Sequence, residues 1–81
     1  MQVKVLYFGV LSETIKETGS SLQVEEGTTV GRLRDRVVER YAAVEDRLRG
    51  AMVAVNQDYA EDDRLLAEGD EVAFIPPVSG G

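Results

Sequence analysis

Eighty-one residues, 43% hydrophobic and 30% charged, describe one small folded domain and are too apolar for a disordered chain. The chain has no Cys and no His, which excludes disulfides, thiolate metal sites and any Ser-His or Cys-His nucleophilic pair. A net charge of −6 argues against nucleic acid as a partner, because phosphates demand a basic surface.

No apolar run approaches the ~20 residues of a membrane span, and the N-terminus lacks a signal-peptide pattern. Cytoplasmic residence away from any membrane is therefore the expectation. Charge is unevenly distributed. Residues 1–31 carry four acids and two lysines, residues 32–49 six arginines and four acids, and residues 50–81 seven acids with Arg64 alone. The acidic third favours a basic partner surface, or else simply keeps a small domain soluble.

The first periodic segment is Val3-Lys4-Val5-Leu6-Tyr7-Phe8. Apolar residues fall on both faces, which predicts a central strand with a partner on its second side. Leu11 and Ile15 then define a short helix that Gly19 is expected to end. Leu22 and Val24 alternate with Ser21 and Gln23 in a strand closing at Glu25-Glu26-Gly27. The main helix begins at Thr28 or Thr29, where a hydroxyl can accept a first-turn amide hydrogen. Val30, Leu33, Val37 and Tyr41 recur at spacings of three and four and are read as core. The helix arginines are read as a solvated face, and Glu45–Arg49 as one further turn.

Ala51-Met52-Val53-Ala54-Val55 predicts a strand, and Asn56-Gln57-Asp58 a turn into a brief strand at Tyr59-Ala60. Residues 61–67 read as a loop or a 3₁₀ turn. Glu68-Gly69-Asp70 leads into the last strand, Glu71–Ile75. One main helix covering one face of a four- to five-stranded mixed sheet gives an α+β roll, with the last strand near the first.

The domain is expected to span residues 1–75, followed by an extended tail over 76–81. Neither Pro76 nor Pro77 can donate to a sheet ladder, so the chain must leave the sheet there. Six extended residues reach at most ~20 Å, enough to thread a narrow channel in another protein. Gly80 and Gly81 lack Cβ atoms and leave a terminal carboxylate unhindered. Such a carboxylate becomes an electrophile when adenylated, and the adenylate can accept sulfur to become a thiocarboxylate. Without Cys, no side chain can carry reactive sulfur, so Gly81 is the candidate carrier.

The block Gly69-Asp70-Glu71-Val72-Ala73-Phe74-Ile75-Pro76-Pro77-Val78-Ser79-Gly80-Gly81 closely resembles the C-terminus of the molybdopterin synthase small-subunit family. The opening Val3–Phe8 strand and the Val55-Asn56 hairpin resemble it too. That family often has Ala where Gly9 stands and a second aromatic where Ile75 stands. The resemblance implies a ubiquitin-like β-grasp fold. It also implies a chain that is not an enzyme alone and binds no cofactor or metal.

By the same resemblance, an E1-like enzyme uses ATP to adenylate Gly81, and a sulfurtransferase system makes the thiocarboxylate. Pro76, Pro77, Val78, Ser79 and Gly80 form the stem inserted into the large catalytic subunit of a heterotetramer. Sulfur then passes to cyclic pyranopterin monophosphate in molybdenum cofactor biosynthesis. Phe8 and Ile75 are assigned to a docking patch, the alternative being ordinary core on the second face of the sheet. Rival readings are a carrier for the thiazole of thiamine or for tRNA thiolation, a ubiquitin-like protein modifier, and a non-covalent β-grasp interaction domain.

Overall fold

A computed structural model describes residues 1–77. In chain order the elements are β1 (Gln2–Tyr7), α1 (Val10–Ile15), β2 (Gly19–Gln23), α2 (Val30–Arg40), a 3₁₀ turn (Ala42–Val44), α3 (Glu45–Arg49), β3 (Met52–Val55), β4 (Asp58–Tyr59) and β5 (Glu71–Ile75). The five strands form one sheet in the order β2-β1-β5-β3-β4. β1 and β5 are parallel, while β1–β2, β3–β5 and β3–β4 are antiparallel. This is the expected ubiquitin-like β-grasp arrangement, with the last strand beside the first at the centre of the sheet.

Period-2 alternation decides what is buried. Val3, Val5 and Tyr7 of β1, Val53 and Val55 of β3, and Val72 and Phe74 of β5 all point to one face. They pack against Val30, Leu33, Val37 and Val38 of α2, and Leu11, Val44 and Leu48 close the ends. Each large apolar side chain buried in this way contributes roughly 1.5–3 kcal/mol. Tyr41, expected in the core, instead sits half-buried just past α2. Its ring meets Tyr7 edge-on at 5.7 Å and its hydroxyl donates to Glu17 Oε2 at 2.9 Å. Burial first, and then that bond, push the Tyr41 hydroxyl up to about 12.

The start of α2 is held by two neighbours. Thr29 Oγ1 accepts the Arg32 N–H at 3.3 Å. The loop after β4 supplies the rest, since Val30 N–H donates to the Arg64 carbonyl at 3.0 Å and Gly31 N–H to that of Asp62 at 2.9 Å. Gly31 permits this approach, because a Cβ there would lie 3.3 Å from Asp62 Cβ. Thr29→Ala is expected to cost about 0.5–1 kcal/mol, the low end of cap losses, because the loop bonds remain. Thermal unfolding followed by circular dichroism should show Tm lower by roughly 2–8 °C.

Two further expectations are corrected. The short helix α1 ends at Lys16, which takes the left-handed conformation (φ 66°), whereas Gly19 opens β2. Lys16 N–H donates to the Ser12 carbonyl at 2.8 Å, so a hydrogen bond offsets the cost of that backbone. Nor are all helix arginines solvated. The Arg34 side chain is only 11% exposed, pairs with Asp62 at 3.1 Å and donates to the Arg49 carbonyl at 2.7 Å. It ties α2 to the loop after β4 and to the end of α3.

Candidate functional site

α2 covers one face of the sheet; the other face displays the residues that alternate out of phase with the core. Strand pairing arranges them in rows. Lys4 lies opposite Glu71, a polar row at one end. The next row is Leu6–Ala73–Ala54–Tyr59, running across β1, β5, β3 and β4. One pleat further, Met52 pairs with Ile75, and Phe8, whose N–H donates to the Phe74 carbonyl at 3.3 Å, extends that row beyond β1. Polarity therefore falls toward one end of the face, and the chain leaves the sheet at that same end.

Phe8, Met52 and Tyr59 are 47%, 52% and 71% exposed. At ~4.8 Å between strands, the four-strand row spans roughly 14 Å. A contiguous apolar surface of this kind marks an interaction site. Phe8 is thus not core on the second face of the sheet, while Ile75 is half-buried beside Met52. Between Met52, Tyr59 and the Arg34–Asp62 pair lies a cleft of about 240 Å³, also lined by Ala51 and Ala60. Glu61 and Asp62 follow β4 and also line this cleft, with the Asp62 carboxylate paired to Arg34 of α2.

The exit of the chain is shaped by Gly9. Its backbone (φ 56°, ψ −133°) is one that side chains other than hydrogen rarely adopt. A Cβ there would also lie 3.5 Å from Pro76 Cγ, in ordinary contact. Gly9→Ala is therefore expected to cost about 1–2 kcal/mol through backbone strain rather than through a clash. Urea unfolding should show a lower midpoint with an unchanged slope.

Pro76 is half-buried and Pro77 exposed, and neither belongs to the sheet. Val78, Ser79, Gly80 and Gly81, the rest of the candidate tail, lie outside the described residues. Among the described residues no cluster of acids is suited to hold a metal ion, and no helix is long and apolar enough to cross a membrane.

The geometry adds Leu6, Met52, Ala54, Tyr59 and Ala73 to the two patch residues expected from the sequence. Their signal was hidden in β3, where Met52-Val53-Ala54-Val55 is apolar throughout and alternation cannot separate the faces.

Comparison with known proteins agrees with the fold and identifies the family. The model of the ThiS family matches residues 5–81. The molybdopterin synthase sulfur carrier subunit of Mycobacterium tuberculosis is 43% identical over 82 residues, covering 100% of this chain and 99% of that protein. SAMP1 from Haloferax volcanii superposes with a TM-score of 0.89 at 29% identity, with 100% of each chain covered. A chain from the complex of subunits 1 and 2 of the molybdopterin-converting factor of Helicobacter pylori matches with a TM-score of 0.71 at 26% identity, again with 100% of each chain covered.

Proposed function

The chain belongs to the ThiS family, and within it to the molybdopterin synthase sulfur carrier subunits; from that premise we propose that the Gly81 carboxylate carries the sulfur used to build the dithiolene of molybdopterin. In the first step the carboxylate oxygen attacks the α-phosphorus of ATP on an E1-like enzyme and pyrophosphate leaves. In the second a sulfurtransferase system, drawing on a thiol reductant, supplies sulfur at the sulfide level; its lone pair attacks the acyl carbon and AMP leaves, giving the thiocarboxylate. The chain itself contributes no acid, base or nucleophile besides that terminus, and it is a substrate of one enzyme and a subunit of another.

The observation that carries the reading is the coincidence of the apolar face with the exit of the chain. Phe8, Ile75 and Met52 would dock on the large catalytic subunit, while Pro76 to Gly80 would enter that subunit's active site and hold Gly81 against cyclic pyranopterin monophosphate. Stiffness from the two prolines lowers the entropy lost on insertion. The H. pylori complex of subunits 1 and 2 supports the pairing, and a heterotetramer of two small and two large subunits follows the family pattern. With no membrane helix among the described residues, assembly in the cytoplasm fits the reading.

The test is intact mass before and after incubation with ATP, the co-expressed E1-like enzyme and a sulfur source. The expected result is one oxygen-to-sulfur exchange, mapped to the C-terminal peptide. An unchanged mass, with the enzyme active on another carrier, would remove Gly81 from the chemistry. A second reading draws on the likeness to the small archaeal modifier SAMP1. The same adenylate can be captured by a protein lysine, and isopeptide-linked adducts ending in Gly81 would be its signature.

A further inference from the structure

The edge of the sheet away from the tail has its own features, none of which the carrier reading uses. β2 is a terminal strand, bonded to β1 on one side only. The bonds Val24 N–H to the Met1 carbonyl (2.8 Å), the Met1 ammonium to the Val24 carbonyl (2.7 Å) and Tyr7 N–H to the Thr18 carbonyl (3.0 Å) set the phase of the ladder. In that phase Ser20 and Leu22 turn their backbone groups toward β1. Gly19, Ser21 and Gln23 turn theirs outward, so among the described residues three N–H and three C=O groups form an unpaired row. Natural edges are usually blunted by charge, proline, a bulge or extreme shortness. The opposite edge is protected in this way, since β4 has two residues. The β2 segment Gly19-Ser20-Ser21-Leu22-Gln23 has five residues, no charge and no proline.

Directly beside this edge is a depression of about 250 Å³ lined by Leu22, Arg36, Glu39 and Arg40. Arg36 and Arg40 are exposed and four residues apart on α2, with Arg32 one turn earlier. None of the three is in an ion pair among the described residues, whereas Asp35, the acid between them, is held by Arg49. Arg40 lies 5.6 Å from the centre of the Tyr41 ring. Two arginines against Glu39 leave the depression net positive on a chain of net charge −6. Glu25 and Glu26 beyond β2, and Glu17 before it, confine that positive potential to the middle of the strand.

We propose that β2 is a docking edge for an extended acidic segment of a partner protein, which adds a strand beside Gly19–Gln23 and sets a carboxylate between Arg36 and Arg40. Main-chain bonds to Gly19, Ser21 and Gln23 give affinity without sequence demand, and the arginine pair selects the acid. A second copy of this chain is a poor occupant. Two β2 strands paired about a two-fold axis would bring the Arg36 and Arg40 side chains of both copies together, and like charges repel. The edge lies across the sheet from β3 and β4, so a partner held there leaves the apolar face and the tail free for use.

The test uses the full-length ¹⁵N-labelled chain and a short peptide of alternating valine and threonine with central aspartates, titrated while backbone amide shifts are followed. Shifts centred on Gly19, Ser21 and Gln23 are expected. They should weaken with added salt and be absent with the counterpart carrying lysines. The paired substitution Arg36→Glu, Arg40→Glu should weaken binding about tenfold or more. Ser21→Pro, whose lost N–H faces outward, should abolish binding while the chain stays folded. Both variants should still accept sulfur at Gly81. Shifts centred on Phe8, Met52 and Ile75, equal binding of the lysine peptide, or no shift at millimolar peptide would each overturn the proposal. So would a concentration-dependent dimer through β2 without peptide, which would make a second copy the occupant.

Discussion

Deleting Gly81 is expected to abolish conversion to the thiocarboxylate, with a loss on the order of 10³-fold or more, and to leave Tm within about 1–2 °C. The two halves of this expectation have separate causes. Among the described residues, every member of the buried core lies at or before Phe74, so the sheet and α2 should keep their packing when the end of the chain is shortened. Chemistry at the carboxylate is governed by position. One extended residue spans ~3.3–3.6 Å, while a reacting atom must come within about 3–3.5 Å of its partner. A carrier one residue short presents its carboxylate a full residue away from the nucleotide, with the docked globule unable to follow. One residue too many should fail equally, because the carbonyl of Gly81 then sits in an unreactive amide. Gly81→Ala keeps the reach and adds only a methyl group. It should lose less, about 10–100-fold, through misplacement rather than absence. Intact mass after incubation with ATP, the activating enzyme and a sulfur source reads all three variants. A truncated chain that still gains sulfur would move the carrier function off Gly81.

The sequence and the structure part company at identifiable places. Strong alternation made β2 and β5 legible. Val30, Leu33 and Val37 marked the core face of α2, because apolar residues three and four apart line one side of a helix and must be covered. The pairing of β1 with β5 was expected only as proximity. Its parallel sense depends on packing between segments some 70 residues apart, for which local patterns carry no signal. Phe8 could be read from the sequence either as docking surface or as core. It continues the apolar run of β1, yet the strand ends at Tyr7, and the positive-φ turn at Gly9 leaves the ring about half exposed. Arg34 is hidden among six arginines of similar spacing, and only the loop carrying Asp62 distinguishes it from its solvated neighbours. The tail motif can be proposed from the sequence because chemistry there depends on residue type and order, while its last four residues lie outside the described structure. The proposed docking face is only half legible, because it depends on which strands lie side by side.

That face yields the second large effect. Phe8→Asp combined with Met52→Asp is expected to weaken assembly with the large subunit by roughly 10³-fold, since apolar anchors at the centre of an interface are each worth ~2 kcal/mol or more. The two side chains flank Ile75 in one row, so the substitutions place two carboxylates on either side of the point where the chain leaves the sheet. On binding, each would have to shed water without a counter-charge, which adds to the lost apolar contact. In the free chain both positions are about half exposed and neither is hydrogen-bonded through its side chain, so the fold should lose no more than about 1 kcal/mol. Calorimetric titration against the large subunit measures the first quantity and thermal unfolding the second. A matched pair on the helix side, Arg32→Glu with Arg36→Glu, changes charge more and should leave this affinity within about tenfold, because rim and remote charges act mainly on association rate. If the helix pair abolished assembly and the Phe8 and Met52 pair did not, the large subunit would bind α2 rather than the open face. The tail would then have to pass the layer of α2 to reach the active site, a distance of ~10 Å that consumes about half its ~20 Å reach. Under the proposed function, coincidence of the apolar face with the exit at Pro76 avoids that loss, because the large subunit would then dock on the side where the chain leaves the sheet.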